Sequence, residues 1–130
     1  MTTCGVWPHH RGLVAVLLDD AGHLRSSSIA LTDDARSGLA CWLAAAGADL
    51  VLDEALLKAD PIALLARRSG VTVWIVAQPL VTALRLAAGV AHRGPRPSAA
   101  ILARLPAIPW LRPHLQQLDR DEDDRQILLL

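Results

Sequence analysis

Residues 48–79 read ADLVLDEALLKADPIALLARRSGVTVWIVAQP, and their reading decides the fold. Leu50, Val51 and Leu52 form a short continuous apolar run, and a second run occupies residues 71–76. Between them Asp60 and Pro61 supply an N-cap and first-turn pair for a helix that Gly70 can end. Two runs apolar on both faces, joined by an amphipathic helix, are what a βαβ crossover in a buried parallel sheet requires, because helices then cover the sheet faces. The stretch therefore predicts strands over 48–53 and 71–76 with a helix between them.

Working outward toward the N-terminus, residues 2–7 and 13–18 predict two short strands around the turn Pro8-His9-His10-Arg11-Gly12. Asp19-Asp20-Ala21-Gly22 carries hairpin turn residues, and residues 23–31 return as a third strand. Asp19 and Asp20 thus read as turn formers rather than a carboxylate pair. Thr32, Asp33 and Asp34 start a capped helix, with the acids at the positive end of its dipole, and Gly47 stops it. Leu39, Trp42, Leu43 and Ala46 recur on one face of that helix, which predicts packing on the sheet. Toward the C-terminus, residues 79–89 predict a short helix with Arg85 pointing out, and residues 89–97 a Gly/Pro loop. Ser98 is then a cap for a helix that Pro106 ends. Residues 106–113 read as extended, so that 1–113 form one domain and 114–130 a helical tail with an acidic middle and an apolar end.

A chain of 130 residues is one domain by length and buries enough surface to need no staples. Cys4 and Cys41 are the only cysteines, too few for a disulfide framework, which predicts a reduced, cytoplasmic protein. The longest apolar stretch, 71–84, is interrupted by Gln78 and Pro79 and is too short for a membrane span, so no membrane is expected. There is no Phe or Tyr, hence no platform of such rings for stacking bases. Trp42 and Trp74 are assigned to the core, Trp7 and Trp110 to the surface or a partner. Net charge is zero, yet residues 1–60 carry eight acids against four bases, whereas residues 61–118 carry seven arginines and no acid. Such asymmetry makes a basic face suited to phosphates, or else pairs with the acidic half across the domain.

Three antiparallel strands, a helix, a parallel strand, a helix and another parallel strand is the order of the ribonuclease H-like fold, a mixed α/β sheet of about five strands. At residue level the chain resembles the N-terminal, RuvC-like domain of the DEDD-type insertion-sequence transposases. Cys4-Gly5-Val6-Trp7 falls where that family has a hydrophobic-Gly-hydrophobic-Asp strand, and Asp20-Ala21-Gly22-His23 matches its hairpin. Ser37-Gly38-Leu39 with Trp42-Leu43 matches its first helix, and Leu50-Val51-Leu52-Asp53-Glu54 its strand ending in a catalytic Glu. Arg67-Arg68-Ser69-Gly70 is similar to the end of its next helix, Ala77-Gln78-Pro79 to its strand followed by Asn-Pro, and residues 118–130 sit where it begins a long Arg-rich helix. The resemblance implies four carboxylates around two divalent metal ions, but Trp7 stands at the first acid position, and Pro95 and Ser98 stand at those of the final pair. Glu54, or Asp53 beside it, is left as a vestigial catalytic residue, so no metal and no cofactor are expected. The chain also ends before the family's second domain with its nucleophilic Ser, so recombination by this polypeptide alone is not expected.

The expected function is that of a non-catalytic ribonuclease H-like domain, a degenerate relative of a mobile-element enzyme, binding nucleic acid (DNA or RNA) or a protein. The alternatives are a structural or oligomerising module without nucleic acid, and a residual metal-dependent nuclease using Glu54. Arg85, Arg93, Arg96 and Arg104 are the phosphate-binding candidates, against the plain reading of a solvated arginine surface. His9 and His10 are adjacent and point apart on an extended segment, which argues against a zinc site with Cys4. The apolar end of the tail, Leu128 to Leu130, is expected to pack on a second copy in a homo-oligomer.

Overall fold

The computed structural model describes residues 2–90 and 94–118. β1 (Thr3–His9), β2 (Gly12–Leu18) and β3 (Leu24–Ala30) form an antiparallel meander, followed by α1 (Asp33–Ala46) and β4 (Asp49–Asp53). Two short helices, α2 (Glu54–Ala59) and α3 (Ile62–Arg68), lead to β5 (Val73–Val76), α4 (Gln78–Ala87) and α5 (Pro95–Arg104), and after two 3-10 turns the chain adds β6 (Leu115–Gln117). The sheet order is β3-β2-β1-β4-β5-β6. β4 runs parallel to β1 and to β5, whereas β6 is antiparallel to β5. The protein is therefore α/β with a six-stranded mixed sheet, consistent with a ribonuclease H-like arrangement, and the expected five strands appear in the expected order.

Alternation along the strands divides the core in two. Cys4, Val6, Leu13, Ala15, Leu50, Leu52, Val73 and Ile75 face one way and pack with Leu43 of α1, Leu56 of α2 and Ile62 of α3. Val14, Val16, Val51 and Val76 face the other way, under α4 and α5. Gly5 sits where α5 crosses β1: a Cβ there would lie 2.0 Å from the Ala99 carbonyl oxygen. The Thr3 hydroxyl, buried beside it, donates to the Ala103 carbonyl. Absence of a side chain and one short polar link thus bring the helix backbone down onto the strand.

Local chemistry explains the boundaries. The Thr32 hydroxyl accepts from Ala35 N at 3.2 Å, and Gly47, with φ 65°, turns the chain so that Ala48 N bonds back to Leu43 O at 3.0 Å. Such a left-handed residue closes a helix cheaply only as glycine. Asp19 behaves as a turn former, its Oδ1 accepting from Ala21 N and His23 N at 3.0 and 2.9 Å.

Several expectations are corrected. The helix expected from Asp60 and Pro61 is α3, and a second helix that was not expected, α2, precedes it; the two stay separate because a residue before proline is driven out of helical geometry, and Asp60 has φ −140° and ψ 140°. Its carboxylate still caps α3, accepting from Ile62 N at 2.9 Å, and also takes Arg36 Nε and Nη2 at 3.0 to 3.2 Å. Trp42, assigned to the core, is 50 % exposed, since Ala40 rather than Trp42 joins Leu43 on the buried face of α1. Ser98 is not the cap of α5, which starts at Pro95 and buries Ser98 in its first turn. The helical tail expected from residue 114 is strand at 115–117, because Leu115 and Leu118 are drawn into the core beside β5. Residues 119–130, with the expected oligomerising Leu128 to Leu130, lie outside the described residues. No helix among the described residues is long and apolar enough to cross a membrane.

Candidate functional site

β1 and β4 pair only as far as Gly5 and Val51. The ladder ends there, at the C-terminal end of the parallel strands, where open α/β sheets place ligand groups. Trp7 projects on the same side of β1 as Gly5, toward α5. Arg85 of α4 lies over its indole, with the guanidinium carbon 4.6 Å from the ring centroid. Arg85 Nε also donates to the Ser98 hydroxyl at 2.9 Å, and Ser98 is buried. An aromatic face on one side and a hydroxyl on the other pin the guanidinium, a geometry in which a cation over a ring is attracted by its quadrupole. Arg85, expected to point out, is thus turned inward and half-buried.

The two candidate acids stand at the same end of the sheet, and both are engaged. Asp53, the last residue of β4, is buried and caps α2, its Oδ1 accepting from Leu56 N at 2.8 Å. Burial pushes its carboxyl up from the ordinary value, while the Leu56 N–H and the positive charge of Arg85 hold it back. Glu54 reaches across to α4, whose N-cap Ala77 has no side-chain acceptor, and its Oε1 accepts from Gln78 N at 2.9 Å. Each carboxylate therefore does at one helix start what Ser, Thr or Asp does at others.

The remaining candidates are spread out. Arg96, two residues before Ser98, is exposed at the same end of α5, whereas Arg104 is exposed two turns further on, about 12 Å along the helix, at the end next to Thr3. Arg93 lies outside the described residues. Arg112 stacks on Trp74 at 5.6 Å, and the Trp74 indole N–H donates to Asp49 Oδ2 at 3.1 Å. His9 Nδ1 accepts from Arg11 N at 3.1 Å, a turn contact. Among the described residues no three His, Cys, Asp or Glu side chains come together as a metal would need.

A pair of divalent ions does not fit these residues. Magnesium takes oxygen ligands in near-octahedral order, and two ions in one site need several carboxylates to offset their repulsion. Here this end of the sheet holds an indole, an arginine and a hydroxyl, and its two acids already accept from helix N–H groups. The residue that sequence reasoning missed as part of this cluster is Arg85. Its partners Trp7 and Ser98 lie far away in sequence, and no periodicity links them. Compared with family models and with curated proteins, the sequence matches none.

Proposed function

We propose that this chain is a non-catalytic ribonuclease H-like domain, related to the transposase domains it resembles, that binds the phosphate backbone of nucleic acid with little sequence preference. The observation that carries this reading is the charge of one layer. The described segments that cover one face of the sheet, from α4 to residue 118, contain Arg85, Arg96, Arg104 and Arg112 and no Asp or Glu. Exposed arginines on segments that carry no acids of their own attract phosphates and release their counterions, which supplies affinity without base readout. Trp7 packed under Arg85, where a nuclease would need an acid, supports the non-catalytic half of the reading. The capping roles of Asp53 and Glu54 support it too.

Fluorescence anisotropy with labelled single-stranded and duplex oligonucleotides tests this. Binding is expected at low salt, falling steeply as salt rises, with similar affinities for unrelated sequences. Replacing Arg93, Arg96 and Arg104 with Ala should weaken binding to every sequence alike and reduce the salt slope by about one for each phosphate no longer neutralised. No binding at low salt, or binding indifferent to these replacements, would end the proposal.

A further inference from the structure

β3 is an edge strand of seven residues, and among the described residues nothing pairs with its outer side. Its register with β2 runs unbroken from Leu24 to Ala30, so no bulge blunts it. Of the residues that commonly protect a free edge it contains no Pro and no Lys, and Arg25 is its single charge. Apolar surface gathers around it. Leu24, Leu31 and Trp42 are 41 %, 50 % and 50 % exposed, three of the five large apolar side chains exposed among the described residues. Beside it a cleft of about 370 Å³ lies between β2, β3 and α1, walled by Leu17, Ile29, Leu39 and Trp42. The opposite edge, β6, has only three residues.

We infer that the outer edge of β3 is an interface for a second copy of this chain, pairing β3 with β3 antiparallel about a two-fold axis at Ser27. Hydrogen-bond parity selects this register. Asp19 N bonds to His23 O across the β2–β3 turn, so by alternation Arg25, Ser27 and Ile29 direct their backbone groups toward β2, and Leu24, Ser26, Ser28 and Ala30 direct theirs outward. With Ser27 on the axis, Ser26 faces the partner's Ser28 and Leu24 faces the partner's Ala30, and each pair exchanges backbone bonds. Side chains agree with this. Small serines meet at the centre, and Arg25 falls opposite the partner's Ile29 rather than opposite its own kind. The strand's charges complement each other head to tail: Arg25 stands near its start, while Asp33 and Asp34 follow its end, the Asp33 side chain 98 % exposed. An antiparallel pair brings each arginine toward the other copy's acids. The two-fold axis also sets both α1 helices on the same side of the joined sheet, with Trp42 of each beside the seam.

Sedimentation velocity and light scattering on the full chain, at concentrations up to about 1 mM, read the outcome. The mass should climb from 13.9 kDa toward twice that value. Ser26→Pro and Ser28→Pro each remove an outward N–H while sparing the bonds to β2, and each should hold the chain at the monomer mass with an unchanged circular dichroism spectrum. Where a proline unfolds the strand, Ser27→Lys carries the test, since it keeps every N–H and sets two like charges face to face. Arg25→Asp should also dissociate the dimer, and adding Asp33→Arg and Asp34→Arg should restore it. A wild-type chain that stays monomeric throughout, folded edge variants that dimerise like wild type, or a charge swap that restores nothing would each overturn the inference.

Discussion

Gly5 sets how closely α5 approaches the sheet, and any side chain there would collide with helix backbone rather than with a flexible neighbour. Gly5→Ala is therefore expected to destabilise the protein by about 3 kcal/mol in urea unfolding, at the upper end of overpacking costs. A loss under about 0.5 kcal/mol, the scatter of ordinary surface changes, would mean that α5 sits elsewhere. Arg85 makes a different kind of contribution. Arg85→Met removes the cation from the Trp7 ring and the donor from buried Ser98, and should cost about 2 kcal/mol. It also removes the positive charge that restrains the Asp53 carboxyl, whose folded-state value is already raised from 3.8. Between 3.8 and that raised value the native state keeps a proton that the unfolded chain releases, so the contribution of Asp53 to stability falls as pH climbs through this window. In Arg85→Met the window should extend to higher pH, read as a later titration of the Asp53 carboxyl carbon by NMR. An unchanged or lower midpoint would separate Arg85 from Asp53.

At the level of elements, two acids that read as remnants of a catalytic set serve as helix caps. Asp53→Ala should cost about 1 to 2 kcal/mol and Glu54→Ala about 1 kcal/mol. Glu54→Gln, which keeps an acceptor for Gln78 N, should unfold close to wild type in urea. A large loss in Glu54→Gln would show that its charge matters beyond the cap. Arg36 and Asp60 pin α1 to the junction of α2 and α3, with side chains only 12 % and 6 % exposed. Arg36→Met leaves the Asp60 carboxylate buried without its cation and should cost about 3 kcal/mol. These elements were largely legible in the sequence. Thr32, Gly47 and the Asp19 turn act through neighbours a few residues away, which is why sequence alone placed them. The helix start at Asp60 and Pro61 was legible because its rule is local, whereas α2 was missed, its six residues being too few to show a helical period of their own.

At the scale of the whole molecule, the engaged acids and the indole under Arg85 imply that magnesium or manganese finds no seat at the C-terminal end of the parallel strands. Neither ion should raise the melting temperature appreciably, as a ligand of the native state would, and neither should support cleavage of single-stranded, duplex or branched DNA. Trp7→Asp alone should leave cleavage absent, because one new acid still lacks partners. Metal-dependent cleavage that vanishes in Glu54→Ala would refute this and return Glu54 to a catalytic role.

The sequence by itself determined the order and type of the main elements, the buried parallel pair β4 and β5, and the segregation of arginines into the second half. Periodicity, caps and turns act over a few residues, and 48–79 displayed all three. Only the tertiary structure decided what meets what. It closed the sheet with β6, three residues with no strand signal of their own, because Leu115 and Leu118 are buried beside β5. It left Trp42 half in solvent beside an uncovered β3 edge, although its spacing matched a core stripe. It also folded Arg85 onto Trp7 and Ser98, three residues joined by no local pattern. Burial and long-range pairing are properties of surfaces that come together, and a side chain acquires its partner only when distant segments pack.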